Sequence, residues 1–291
     1  MWWGGSISML KRFLSSGYGL MVFASFLYSI SDVLFKILTS SLPITQIASI
    51  RFLFGGMVLW PVLSSRGISL KGNHVWALVL RGVFGTASFF CLLKSMSLIP
   101  FSLTMVLFYT YPIFVAFFSY VLLGEAIGKK DLFLIGIGLI GTYILINPGS
   151  HSFSAGHLHG LLASSLGAMA VVMIRKARET NGALIIYFYF CLVGGSISVP
   201  FLLQSFKTPD LLQWALLLIL AWALLVAQVA MNQGFKYCKA AEGSLFLTLE
   251  LIFAGIAGIL IFKDPVTPHF GLGALLIVSS GLGLNWVNRR S

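Results

Sequence analysis

Charged residues are scarce in this chain, which carries 19 Lys and Arg and 8 Asp and Glu among 291 residues. A soluble globular domain needs about 25% charged residues to keep its surface wetted, whereas here the share is 9%. Hydrophobic residues make up 58% of the chain. These proportions exclude a water-soluble domain. Since a spanning helix takes ~20 residues and a short connection ~6 to 8, the length allows about ten spans and no extramembrane catalytic domain.

Several chemical signatures are also missing. The three cysteines, Cys91, Cys191 and Cys238, have no paired spacing and no nearby histidine cluster, so neither a disulfide framework nor a metal site is predicted. No G-x-x-x-x-G-K-[ST] string is present to bind ATP. Intramembrane proteolysis would need paired aspartates, G-x-S-G or H-E-x-x-H, and Asp32 is the only aspartate well inside an apolar segment. The sequence therefore predicts neither an enzyme nor a bound cofactor.

Acidic residues are the scarcer charged class, which leaves a formal net charge of +11. That charge alone would fit a nucleic-acid binder. The basic residues stand at the ends of apolar segments, however, and the cytoplasmic loop bias of membrane proteins is the simpler cause. We therefore expect membrane lipid around the chain and no nucleic-acid partner; the oligomeric state is not predicted.

Long apolar runs without period-two alternation predict α-helices rather than barrel strands. Three prolines mark predicted helix starts: Pro43, Pro100 and Pro209. Short polar turns interrupt the apolar pattern at 124–125, 147–149 and 263–265. The predicted fold is all-α, a polytopic membrane protein with ten transmembrane helices. The ten spans lie at about 18–38, 43–63, 74–95, 99–122, 131–147, 157–175, 184–203, 211–233, 242–262 and 270–287.

The basic residues predict the direction of the spans. Placing the N-terminus in the cytoplasm assigns 13 of the 19 Lys and Arg residues to the inside and four to the outside, with Arg51 and Arg81 inside spans. The external connection at 149–156 contains no Lys or Arg. We expect a multi-pass protein of the cell inner membrane with both termini cytoplasmic.

The second half of the chain repeats features of the first at a constant offset of 139 residues. This offset places 235–241 on 96–102 and Lys263-Asp264 on Gly124-Glu125, which joins corresponding helix ends to the charged turn that follows. A duplicated unit of five helices must enter the membrane in the opposite sense the second time. The pattern therefore predicts two inverted five-helix repeats, the construction that many secondary transporters use for alternating access.

Short motifs between residues 81 and 149 resemble the EamA half-repeat of the drug/metabolite transporter superfamily. The motifs are Arg81-Gly82-Val83-Phe84-Gly85, Ser97-Leu98-Ile99-Pro100, Tyr111-Pro112, Leu123-Gly124-Glu125, Gly141 and Asn147-Pro148-Gly149. The resemblance covers nearly all of the chain. It implies one five-helix repeat in 1–150 and a second in 151–291, no bound cofactor, and passage of small metabolites through a central cavity.

Four further strings resemble the branch of this superfamily that includes S-adenosylmethionine uptake carriers of intracellular bacteria. They are Asp32-Val33-x-x-Lys36, Arg51-Phe52, Leu80-Arg81-Gly82 and Leu249-Glu250-Leu251. The second half departs from the family pattern with Lys239 where proline is usual, Leu251 opposite Pro112, and Lys263-Asp264 in place of Gly-Glu. Equal roles for the two halves are therefore in doubt.

Two intramembrane carboxylates are the leading candidates for substrate binding. A charge in mid-membrane costs about 2.5–3.5 kcal/mol on insertion scales, so each one needs a partner or a cavity. Asp32 lies on a polar stripe of span 1 with Tyr28 and Lys36. It either pairs with Lys36, contacts a cationic group of the substrate, or carries a proton. Glu250 lies near mid-membrane in span 9, and it either serves as a functional carboxylate or pairs with a basic residue, Arg81 or Lys94.

Other candidates are neutral or aromatic. Gln228 and Asn232 share a face of span 8 and are expected either to orient a polar metabolite or to bond between helices. Phe108, Tyr111 and Trp222 offer ring faces to a cation, although aromatic residues in membranes are more often packing groups. Residues with an expected structural or gating role are Arg51, Arg81, Lys94 and Pro112, the last because it frees a backbone carbonyl within span 4.

Two apparent motifs are set aside. Gly136 to Gly141 fits G-x-G-x-x-G but lies inside span 5 with no preceding strand, so helix packing is expected rather than a dinucleotide site. His151, His157 and His159 lack metal-site spacing. The leading hypothesis is a secondary transporter for a small polar, cationic or zwitterionic metabolite, with S-adenosylmethionine favoured. The alternatives are an exporter of amino acids or related metabolites, and, in other classes, an intramembrane enzyme or a structural membrane protein.

Overall fold

A computed structural model describes residues 17–99, 101–146, 153–263 and 267–288. Within these ranges the chain forms α-helices and no strands, as the apolar runs predict. The helices of the first half are α1 (Gly17–Leu38), α2 (Ile44–Ser65), α3 (Val75–Met96), α4 (Phe101–Phe108), α5 (Tyr111–Leu123) and α6 (Lys129–Ile146).

The second half repeats this series of helices almost residue for residue. Its helices are α7 (Ala155–Ala177), α8 (Ala183–Ser205), α9 (Leu211–Gly234), α10 (Ala240–Leu247), α11 (Leu249–Phe262) and α12 (Pro268–Asn288). The offset of 139 maps α4 onto α10 at both ends and brings the start of each other helix within three residues of its counterpart. The offset predicted from two short segments therefore extends over the whole series of helices.

Eight helical segments of the described residues are long and apolar enough to cross a membrane. Two of them, Leu103–Leu123 and Ala240–Ile261, each contain a pair of consecutive helices. The chain is thus an all-helical, polytopic membrane protein.

The sequence predicted single helices at 99–122 and 242–262, and the structure corrects both. The first is interrupted between Phe108 and Tyr111, because Pro112 has no N–H to bond to the carbonyl of Phe108. The second is interrupted at Thr248, whose backbone N–H donates to the carbonyl of Leu245 at 3.1 Å in a 3₁₀ step. No proline marks the second interruption.

The two halves pack on one another through an exchanged set of contacts. Helix α3 packs against α7, and its counterpart α9 packs against α1. In the same way α5 packs against α7, whereas α11 packs against α1. Helices α2 and α8, which correspond to each other, pack together, as do α6 and α12. Each half therefore buries its apolar faces mainly against the other half.

The turns after α5 and α11 share a left-handed backbone conformation, with φ of +66° at Gly124 and +58° at Lys263. Glycine takes this conformation without steric cost, whereas a residue with a β-carbon pays about 1–2 kcal/mol. Lys263 is exposed, so its side chain offers little packing in return. The lysine that departs from the family pattern therefore stands at a strained position.

We expect Lys263→Gly to raise the free energy of unfolding by ~0.5–1 kcal/mol, because glycine relieves this strain. The measurement is a reversible unfolding titration of the purified protein in detergent micelles. The reciprocal control is Gly124→Ala, which is expected to lower stability by a similar amount. A Lys263→Gly variant no more stable than the original chain would contradict the strain argument.

Candidate functional site

A cavity of about 210 Å³ lies among the helices of both halves at the level of the two helix interruptions. A larger groove of about 650 Å³ between α2 and α8 carries no charged side chain, so the smaller cavity is the candidate site. Seven of the side chains singled out from the sequence line it. These are Tyr28, Arg51, Arg81, Phe108, Tyr111, Gln228 and Glu250.

Glu250 stands in the first turn of α11, directly after the interruption at Thr248. The N-terminus of a helix carries a partial positive charge and unbonded N–H groups, both of which favour a carboxylate. The carboxyl group of Asp32 on α1 interacts electrostatically with Glu250, and so does the hydroxyl of Tyr109. The structure therefore joins the two predicted carboxylates into one acidic pair at the cavity.

Asp32 is itself exposed and does not line the described cavity. It interacts with two residues that line the cavity, Glu250 and Tyr109. A carboxylate left in lipid would cost several kcal/mol, so Asp32 needs a polar partner such as Glu250. Its predicted neighbour Lys36 is also exposed.

Serine hydroxyls hold the two interrupted helices in place. Ser25 on α1 donates to the carbonyl of Phe246 at 3.1 Å, in the last turn before the interruption at Thr248. Ser164 on α7 bonds to the hydroxyl of Thr110, in the other interruption, at 3.0 Å. Ser25 and Ser164 are 139 residues apart, so the halves exchange equivalent contacts here too. These bonds satisfy backbone and hydroxyl groups that apolar surroundings would otherwise leave unpaired.

Arg81 is 4% exposed and forms a second, basic part of the cavity. Its Nη2 donates to Oε1 of Gln228 at 3.1 Å, and its guanidinium lies 3.9 Å above the ring of Phe190. A β-carbon at Gly85 would clash with Nη1 of Arg81, whereas one at Gly82 would collide with Val193 on α8. Both glycines of the Arg-Gly-x-x-Gly motif are therefore explained by close packing, one of them around the arginine.

Arg51 on α2 lines the same cavity. Its guanidinium lies 4.5 Å from the ring of Phe52 and 4.9 Å from that of Phe89. Aromatic faces stabilise a cation without neutralising it. The ion pairs found among the described residues are Arg175 with Glu125 and Lys176 with Glu179, and neither Arg51 nor Arg81 takes part in one.

Two tyrosines, Tyr28 and Tyr111, line the cavity with the acidic and basic groups. The Tyr28 hydroxyl donates to Sδ of Met231 at 3.4 Å and interacts electrostatically with Glu250, Arg81 and Arg51. The Tyr111 hydroxyl donates to the carbonyl of Ser244 on α10 at 2.6 Å. Tyr111 thereby links the start of α5 to the opposite interrupted helix.

Besides Asp32, five of the predicted site residues do not line this cavity. The ring of Trp222 packs edge-on against Phe54 at 5.4 Å, and its side chain is 50% exposed. Asn232 is fully buried and donates to the carbonyl of Ala183 at 3.3 Å, which is the interhelical role weighed against substrate contact. Lys36 and Lys94 are both exposed near helix ends. Pro112 is the second residue of α5, where a missing N–H is tolerated.

A polar network joins the two halves at the ends of α5 and α7. Glu125, after α5, accepts from Nε of Arg175 at 2.9 Å and from the backbone N–H of Ala240 at 2.9 Å. Arg175 also donates to the carbonyl of Phe235 at 3.2 Å. One carboxylate thus ties the end of α7 to the N-terminus of α10.

The EamA-like transporter family matches this chain twice, over residues 15–147 and 154–286. The chain belongs to this family. It is therefore a multi-pass membrane transporter of the drug/metabolite transporter superfamily rather than an enzyme, as the motifs predicted. Each match spans one of the two sets of six helices.

Two relatives align over most of their length. The pseudopaline exporter of Pseudomonas aeruginosa is 28% identical over 279 residues, 95% of this chain and 98% of the relative. The S-adenosylmethionine uptake transporter of Rickettsia prowazekii is 27% identical over 270 residues, 90% of each chain. A solved crystal structure superposes with a TM-score of 0.79 at 19% identity, over 93% of this chain and 97% of that chain, which supports the fold alone.

Sequence reasoning missed several cavity residues, namely Tyr109, Ser88, Phe89 and Phe190. Tyr109 could have been found from the sequence, since it stands three residues before Pro112 and a proline interrupts a helix. Phe190 had none, because a phenylalanine inside an apolar helix looks like any lipid-facing or core residue.

The glycine motif at 136–141 and His157 both have structural roles in the described residues. Residues 136–141 fall inside α6, where a β-carbon at Gly138 or Gly141 would collide with side chains of α12 or with its backbone. His157 accepts the backbone N–H of Ser154 at 2.9 Å and caps the start of α7. His151 lies outside the described residues.

Proposed function

We propose that this chain is a secondary transporter that moves a small polar metabolite with a positively charged group across the inner membrane. The observation that carries the proposal is the pairing of Asp32 and Glu250 at a cavity bordered by both interrupted helices. The rings of Phe108 and Tyr111 line the same space and favour a flat or amphipathic body. S-adenosylmethionine has both features, and one relative carries that substrate in its name.

We infer ten membrane crossings arranged as two inverted repeats, in 1–150 and 151–291. The support is the helix series that recurs at an offset of 139 and the exchanged packing of α3 on α7 and α9 on α1. Five crossings per repeat reverse the direction of the second copy, so a pseudo-twofold axis lies in the membrane plane. Helices α6 and α12 supply the crossings beyond the eight segments found by length and composition.

Alternating access follows from this arrangement. Interrupted helices at mid-membrane mark the binding sites of many secondary transporters, because half-helix ends contact the substrate while the halves rock about it. Here both interruptions border one cavity. With the termini in the cytoplasm, the Glu125–Arg175 network lies on the cytoplasmic side and Asp32 lies toward the outside.

A second candidate function is export of amino acids or related metabolites. It is favoured by the relative named as a pseudopaline exporter, which aligns over 95% of this chain. The same cavity serves either direction, since a secondary carrier follows the gradients on its two sides.

The proposed topology predicts a labelling pattern. In a variant without its three native cysteines, a cysteine at position 153 should react with a membrane-impermeant maleimide in intact cells, whereas one at position 69 should not. Both positions are exposed, so accessibility in the fold is matched. Permeabilised cells are the control and should label at both positions. Labelling of 69 with protection of 153 would reverse the topology.

The proposed function is tested by ligand-dependent stability of the purified protein. A ligand present at 100 times its dissociation constant stabilises the folded state by ~2.7 kcal/mol, which is readily seen as a rise in Tm. The panel consists of S-adenosylmethionine, amino acids, nucleosides and quaternary amines. Stabilisation by a cationic or zwitterionic compound is expected, and stabilisation by neutral nucleosides alone would contradict the cation site.

A further inference from the structure

We propose that Arg51 and Arg81 form a carboxylate-binding subsite, which makes the cavity selective for zwitterions that carry a carboxylate beside their positive group. This inference rests on the proposed function, because it places a second contact in the same transport cavity. It assigns substrate contact to two arginines whose expected role from the sequence was helix organisation.

The first step is that two guanidinium groups share one enclosed space. Both arginines line the cavity, and the positive charge of Arg51 acts on Arg81. Like charges in a poorly solvated site repel and are costly unless an anion lies between them or beside them. Among the described residues neither guanidinium forms an ion pair, although Glu250 lines the same cavity.

The second step is that donors remain unused. The Nε atoms of Arg51 and of Arg81 are buried and have no hydrogen-bond partner among the described residues. Arg81 is 4% exposed, so surrounding solvent does not compensate. Buried polar groups in folded proteins are nearly always hydrogen-bonded, and each exception calls for an explanation such as a ligand.

The third step is that neighbouring residues fix the orientation of the Arg81 guanidinium. Gln228 accepts a hydrogen bond from Nη2 of Arg81 at 3.1 Å, and the ring of Phe190 lies 3.9 Å from the guanidinium. Gly85 has no β-carbon, which leaves space for Nη1 of Arg81. A guanidinium fixed in this way presents a planar set of donors that matches a carboxylate in two parallel hydrogen bonds. A carboxylate bound here would satisfy donors that protein groups leave open.

The separation of charge inside the cavity sets the substrate class. Glu250 and Asp32 supply the negative end, Arg51 and Arg81 the positive end, and Tyr28 interacts with both. A molecule with an ammonium or sulfonium group and a carboxylate can satisfy both ends at once. A cation without a carboxylate satisfies only the acidic end.

The experiment compares substrates that differ only in the carboxylate. The probes are S-adenosylmethionine with its decarboxylated form, and methionine with 3-(methylthio)propylamine, titrated against the purified full chain. The wild type should bind the carboxylate-bearing member of a pair at least tenfold more tightly. Arg81→Gln and Arg51→Gln should each reduce this preference at least fivefold, with Arg81→Lys in between.

Controls separate the subsite from the rest of the cavity. Arg66→Gln, at the exposed end of α2, should leave the preference unchanged, since Arg66 is outside the cavity. Glu250→Gln should weaken both members of a pair and preserve their ratio. The ratio of two affinities does not depend on the fraction of folded protein, so a partly unfolded variant still reports on the subsite.

Each outcome decides a definite point. Equal binding of both members by the wild type, or an undiminished preference in both arginine variants, would overturn the carboxylate subsite and leave the proposed cation transport standing. Failure of the wild type to bind either member of either pair would overturn the proposed function and this inference together. If Arg81→Gln does not fold, the wild-type preference and Arg51→Gln decide.

Discussion

Glu250→Gln is expected to lower uptake of S-adenosylmethionine more than tenfold, while the protein still folds and reaches the membrane. Glutamine keeps the size and hydrogen bonding of the side chain but removes its negative charge from the N-terminus of α11. Each tenfold loss corresponds to ~1.4 kcal/mol of lost interaction with the cationic group. The measurement is uptake of labelled substrate by proteoliposomes with a known amount of transporter.

The matched control for this substitution is Glu179→Gln. Glu179 pairs with Lys176 at 2.8 Å on the exposed surface, and such pairs contribute little. The Glu179→Gln protein should take up the labelled substrate at the same rate as the original chain. Uptake by Glu250→Gln at the original rate and affinity would contradict the substrate contact, and a preference for anionic substrates would contradict the cation site altogether.

A double substitution tests whether Asp32 and Glu250 act on the same group. If both carboxylates contact one cation, the combined loss in Asp32→Asn with Glu250→Gln should be smaller than the sum of the single losses, because contacting residues are not additive. Fully additive losses would mean two independent roles. The pair would then be better described as separate structural contacts.

Gly273→Ala is expected to lower the free energy of unfolding by ~3 kcal/mol or more. A β-carbon there would lie 2.6 Å from the carbonyl oxygen of Gly141 and 2.6 Å from the backbone nitrogen of Leu145. Backbone atoms cannot rotate aside, so α6 and α12 must separate, and membrane helices pair through such close approach of small residues. The measurement is thermal or denaturant unfolding of the purified protein in detergent.

The same helices provide matched controls for the glycine substitution. A β-carbon at Gly271 on α12 or Gly136 on α6 would meet no atom within 4 Å. Alanine at either position should leave stability unchanged or raise it by ~0.5–1 kcal/mol, since glycine inside a helix is unfavourable. A Gly273→Ala protein as stable as Gly271→Ala would show that the two helices do not depend on this contact.

Much of the fold was predictable because composition and apolar run length respond directly to lipid. The all-helical membrane fold followed from 9% charged residues and from runs near 20 residues. The repeat was predictable as well, and its clearest signal lies in spans 2 and 7. Leu53-x-Gly55-Gly56-x-x-x-x-Pro61 recurs at an offset of 139 as Leu192-x-Gly194-Gly195-x-x-x-x-Pro200.

The acidic residues could be selected from the sequence because a carboxylate in lipid is so costly that it must have a function or a partner. This argument identified Asp32 and Glu250 from two separate helices. It could not show that their carboxyl groups lie together, because no sequence rule relates the rotation of α1 to that of α11. The interruption at Thr248, which gives Glu250 its helix N-terminus, also had no proline to announce it.

What the sequence determined by itself is the lipid environment, the helices, their repeat and the family. Which side chains meet inside was decided by the tertiary structure alone. Gln228 accepts a hydrogen bond from Arg81 in the cavity lining, whereas Asn232, one turn later, is buried and donates to the carbonyl of Ala183 on α8. Helical periodicity assigns both residues to one face, but the partner of each depends on how α8, α9 and α3 cross, and crossing is fixed by packing across the whole bundle.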